Sequence, residues 1–139
     1  MSNSERMLKR LLSIGALYFL AVSIVHLLGI KVPILFVYYN LPSYGYQDKF
    51  IAFLAFGWSL FLFTTSRDPL NSRSAVKALL IAGIAAVSGL TVINQVTDFQ
   101  KLSPGIDPSL FQYETFGLSI YVGLLIYCYF LATRQNGHK

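Results

Sequence analysis

Few residues in this chain are equipped for chemistry. His26, Asn94, Asp98 and Glu114 are polar residues inside or at the edge of long apolar runs, and Tyr38 and Tyr39 belong to an aromatic segment close by. Ionisable groups are expensive in hydrocarbon, so each is a candidate for a ligand or for proton handling. His26 comes four residues before the end of the first apolar run and shares a helical face with Gly15, Ser23 and Gly29. Small residues on that face predict that it looks into a bundle. Asn94 and Asp98 are one helical turn apart, with Thr91 on the same face. His26, Asn94 and Asp98 are therefore expected to meet at one depth, with Glu114 closing the fourth side. The competing expectation is structural: His26 bonded to Asp98 or Glu114, with Asn94 satisfying a neighbour, would simply pin helices together.

Other chemistry is poorly supplied. His138 lies at the far end of the chain from His26, and one histidine is too few for an ordinary zinc site. Paired-histidine haem is excluded by the same count. His26 could serve as a lone axial ligand to a haem or chlorophyll-type pigment, but the sequence requires no cofactor. Cys128 is the single cysteine, which excludes an internal disulfide or a redox dithiol and reads as an apolar packing residue. The H-E-x-x-H, G-x-S-x-G, P-loop and G-x-G-x-x-G patterns are absent, so no catalytic residue is assigned. Asp48 and Glu114 each have a simpler role as acidic residues near a helix N-terminus.

The elements that must position these groups follow from hydropathy. Of 139 residues, 55% are apolar and 12% charged, about half the charge of a soluble domain. Four apolar runs stand out, at 11–30, 50–66, 78–97 and 115–133. A run of twenty residues makes a helix about 30 Å long, the thickness of a hydrocarbon core. Only helices satisfy their own backbone over such lengths in lipid. The expected fold is all-α: one membrane domain covering 1–139, built as a four-helix bundle. The first run is too long for a signal-peptide core and lacks a cleavage site, so it is read as a retained helix.

Eight of the eleven Lys and Arg residues fall before the first run, between the second and third, or after the fourth. By the positive-inside rule both termini are cytoplasmic, in a bacterial-type inner membrane. The net charge of +5 is explained by this layout and by contact with lipid, and nucleic acid is not expected as a partner. The segment from Lys31 to Asp48 is too apolar for a solvated linker and too broken by Pro33, Pro42 and Gly45 to cross. Its tyrosines suit an interfacial loop. Ser109-Leu110-Phe111-Gln112 has the form of a capping box, and Asn71 or Ser72 is placed to cap the third helix. Met1–Glu5 and Gln135–Lys139 read as polar ends. Ala78, Ala82 and Ala86, with Ala85 and Gly89, form a small-residue lane that predicts a third helix either central or docked on a partner.

The plan of four short spans resembles many small bacterial membrane proteins, such as the DoxX-like group, in architecture alone, and the resemblance implies no site residues. Small multidrug antiporters also have four helices but carry a carboxylate deep in the first, where this chain has none. The first functional expectation is thus a non-catalytic accessory, assembly or structural subunit, paired with other membrane subunits or with itself. The second is a protein that binds a quinone, lipid or pigment at His26, Asn94, Asp98, Glu114, Tyr38 and Tyr39. A small transporter is the third, set back by the lack of a charged residue near the midplane.

Overall fold

A computed structural model of the protein describes residues 2–30, 32, 45–102, 104, 105 and 107–136. Tyr38 and Tyr39, and with them most of the expected interfacial loop, lie outside the described residues. The elements are α1 (Asn3–Leu28), α2 (Gly45–Arg67), α3 (Arg73–Val96), the short α4 (Phe99–Leu102) and α5 (Ser109–Asn136). The four long helices are each long and apolar enough to cross a membrane, which makes this a multi-pass membrane protein by length and composition. No strand occurs among the described residues.

The helices begin earlier than their apolar runs because their caps sit in the polar flanks. The Ser2 hydroxyl accepts the Glu5 N–H at 3.1 Å, and Lys9 lies 3.6 Å from the Glu5 carboxylate. Ser2-x-x-Glu5 is itself a capping-box pattern, so the segment expected as a polar end is the first turn of α1. At the other end Gly29 adopts a left-handed φ of 68°. Its N–H bonds to the His26 carbonyl and that of Ile30 to Val25, which stops α1 at Leu28 rather than Ile30. The start of α5 corrects a second expectation. Asp107, not Ser109, supplies the cap: its carboxylate accepts the Ser109 N–H at 2.9 Å, with Pro108 in the turn just ahead of the helix, where no donor is needed. Ser72 precedes α3 as expected, but its hydroxyl makes no capping bond. Asp68 instead closes the α2–α3 turn through the Asn71 N–H and side-chain amide.

Packing divides the long helices into two hairpins. α1 packs on α2, α3 packs on α5, and the pairs join through α1 and α5. Each hairpin has a seam in which shielded residues recur at steps of four and three. On α1 the seam is Leu8, Leu12, Gly15, Phe19, Val22 and His26; on α2 it is Asp48, Ala52, Ala55, Ser59, Leu62 and Ser66. On α3 it is Val76, Leu80, Gly83, Val87, Leu90 and Asn94; on α5 it is Phe111, Thr115, Leu118, Val122, Leu125, Tyr129 and Ala132. A mean step of 3.5 residues is the geometry of left-handed helix pairs.

All four helices contribute to one core at the end that holds the termini: Leu8 and Leu12, Leu62, Val76 and Leu80, Leu125 and Cys128. Pro69 of the α2–α3 turn is buried with them. α3 is not central. Only 17% of its apolar stretch is buried, against 33% in each of the other three. Its seam faces α5, while Ala78, Ala85, Ala86 and Gly89 are exposed.

Candidate functional site

Each helix contact is closed by at least one polar side chain reaching a neighbouring backbone. From α2, the Ser59 hydroxyl donates to the Ala16 carbonyl of α1 at 2.8 Å. From α5, the Tyr121 hydroxyl donates to the Leu11 carbonyl of α1 at 3.0 Å. Gly15 makes that approach possible, because a Cβ there would overlap the Tyr121 hydroxyl. From α3, the Asn94 amide donates to the Phe111 carbonyl at 3.1 Å and to the Thr115 hydroxyl at 2.9 Å, both on α5. Thr115 donates its own hydroxyl hydrogen bond to the Phe111 carbonyl. In a medium without water these bonds replace the lost hydration of each polar group.

The four residues of the expected cluster lie in four separate places. His26, 5% exposed, ends the α1 seam and meets Asp48 at the start of the α2 seam, with Nδ1 and Oδ1 3.4 Å apart. That is ion-pair range, but the two groups are not aligned as a hydrogen bond. The antiparallel register set by Ser59 and Ala16 brings these two positions level. Asn94 belongs to the α3–α5 seam. Asp98 is at the surface, where it accepts the Lys101 N–H at 3.3 Å and lies 3.3 Å from the Lys101 ammonium, so it caps α4. α4 is held in turn by Phe99, whose ring stacks flat on Phe111 at 4.3 Å.

Glu114 occupies the fourth place. It lines a cavity of about 420 Å³ between α1 and α5, together with Gly15, Tyr18 and Phe19 on one side and Tyr113, Gly117 and Tyr121 on the other. Glu114 Oε2 and the Tyr18 hydroxyl are both shielded from solvent. Among the described residues no three His, Cys, Asp or Glu side chains are grouped to hold a metal.

Sequence reasoning passed over Asp48, Tyr18 and Tyr121 as site residues. The signal for Asp48 was its place four residues before Ala52 on the small-residue face of α2. The signal for the tyrosines was their position inside apolar runs, where a hydroxyl must find a partner. Comparison with protein-family models, with curated proteins and with solved structures gave no match, so the geometry described above is what any functional reading must rest on.

Proposed function

We propose that this protein is a non-catalytic accessory subunit of a membrane assembly, with both termini cytoplasmic, and that it docks through α3. The observation that carries the reading is a second seam on that helix. Ala78, Ala82, Ala85, Gly89, Val92 and Val96 recur at steps of four and three on the side away from α5, and all but the half-buried Ala82 are exposed. A Cβ added at Gly89 would meet nothing within 4 Å. Small residues facing lipid gain nothing from it, whereas a lane of them lets a second helix approach closely. The orientation rests on Arg6, Lys9, Arg10, Arg67, Arg73, Lys77 and Arg134, which flank the helix ends on the side of the termini.

The occupant is taken to be a transmembrane helix of another subunit. The test is blue-native electrophoresis and affinity purification in mild detergent, with wild type and Gly89→Leu compared. Wild type is expected to migrate with a stoichiometric companion, and the leucine variant to lose it while keeping its thermal stability. A self-complex would identify the companion as a second copy. A clean monomer from native membranes would overturn the proposal.

A further inference from the structure

The cavity between α1 and α5 lies beyond the Tyr121–Leu11 bond, on the side away from the termini, and its described lining includes no residue of α3. Its volume of about 420 Å³ falls within the range of small-molecule sites. Gly15 lines it from α1 and Gly117 from α5, and at both places a ligand can lie against bare backbone. Elsewhere the wall is mainly apolar or aromatic, with Tyr18, Phe19, Tyr113 and Tyr121 contributing four rings. The Phe19 ring is itself held, edge-to-face with Tyr18 at 5.7 Å and stacked on Trp58 at 6.4 Å.

That lining selects among ligands. It holds no Lys, Arg or His among the described residues, so an anion would be buried without a counter-charge. Glu114 and Tyr18 are engaged within the molecule, and the Tyr121 proton goes to the Leu11 carbonyl, so none of these groups calls for a charged ligand. An acyl chain entering from the bilayer exchanges one apolar surrounding for another and has no drive to stay. An aromatic ring has one. Each offset-stacked or edge-to-face pair that it makes with a wall ring is worth about two- to tenfold in affinity beyond the area buried. We propose that the cavity binds an uncharged, flat aromatic compound dissolved in the bilayer, seated against the two glycines and among the rings of the wall.

The probe is radiolabelled 2-methylnaphthalene, offered to the full-length protein in nanodiscs of phosphatidylglycerol and read by equilibrium dialysis. Empty discs give the background partitioning. Wild type is expected to bind the probe saturably above that background, at one per chain. A Cβ at Gly117 meets nothing within 4 Å, so the side chain of Gly117→Leu should fill the cavity without disturbing the fold and abolish saturable binding. Phe19→Leu keeps an apolar side chain and removes one ring, so it should weaken binding about two- to tenfold. Circular dichroism melts verify that the variants are folded. Tyr113→Leu, which alters an exposed ring of the wall, takes the place of Phe19→Leu where the latter fails to fold. Decahydronaphthalene, the saturated counterpart, should compete poorly. The proposal is overturned if wild type shows no saturable binding, or if Gly117→Leu or the folded ring variant binds like wild type. It is overturned equally if decahydronaphthalene competes as well as unlabelled 2-methylnaphthalene, or if a naphthalene bearing a charged group of either sign competes better.

Discussion

Replacing Gly15 by alanine tests the contact that joins the two hairpins. A Cβ at Gly15 would overlap the Tyr121 hydroxyl oxygen and lie 3.1 Å from Tyr121 Cζ and 3.4 Å from Leu62 Cδ1. The ring must swing away, and its bond to the Leu11 carbonyl is lost. Forcing a methyl group into a packed site costs about 1–3 kcal/mol. An interhelical hydrogen bond in a membrane protein contributes about 0.6 kcal/mol, rising to about 1.7. Gly15→Ala should therefore destabilise by about 2–4 kcal/mol in all. Tyr121→Phe removes only the bond and should cost about 1 kcal/mol. The double variant is the informative one. Phenylalanine lacks the atom that the new methyl group would strike, so only the tight Cζ contact remains, and the neighbouring ring can yield by a few tenths of an ångström. The double variant should be less destabilised than Gly15→Ala alone, with a coupling of about 1–2 kcal/mol. The assay is reversible unfolding by sodium dodecyl sulfate in neutral-detergent micelles. Helical circular dichroism reports the whole bundle, and Trp58 fluorescence reports the α1–α2 interface, where its ring stacks 6.4 Å from Phe19. Costs that add to within about 0.5 kcal/mol would refute the geometry, since uncoupled sites behave that way.

Three further outcomes follow from the same structure. Asn94→Leu should cost about 1 kcal/mol in the micelle assay and should be non-additive with Thr115→Val, because the two residues share a hydrogen bond; strict additivity would contradict the α3–α5 clamp. Asp48→Leu should destabilise more than the double leucine variant, because the single change strands the buried His26 ring in the seam while the double change leaves an apolar layer; the opposite order of melting temperatures would speak against the pair. Asp107 has its carboxyl held below the usual carboxylate range by the Ser109 hydroxyl and N–H. Its stabilising effect is thus present above the unfolded value of about 3.9 and is lost as pH falls through the lower folded value. Asp107→Asn should flatten the stability profile below about pH 4, and a profile that keeps the wild-type slope there would remove Asp107 as its source.

Much of this architecture can be read from the residues alone. Four apolar runs near the length of a bilayer leave only helices as a solution, because no other element pairs its own backbone groups in hydrocarbon. The small-residue faces of α1 and α2 were legible too. Gly15, Ser23 and His26 share one face, Ala52, Ala55 and Ser59 the other, and these faces do meet. Ser2-x-x-Glu5 and Asp107-Pro108 carried the true helix starts, outside the apolar runs that hydropathy detects.

The tertiary structure decided which polar groups share a place. His26 and Asp98 each end an apolar run on the same side of the bundle, so depth alone made them candidates for each other. Depth along a helix axis does not determine rotation about it, nor which helix lies next door. The antiparallel register of α1 and α2 gave His26 to Asp48. The α3–α5 seam took Asn94, and the turn into α4 took Asp98. Glu114 and Tyr18 line one cavity, together with Gly15 and Gly117, where α1 and α5 come side by side. Hydropathy counts the helices because lipid acts on each one separately. The site depends on contacts between them, and those are set by side-chain shape at residues that hydropathy treats as equivalent.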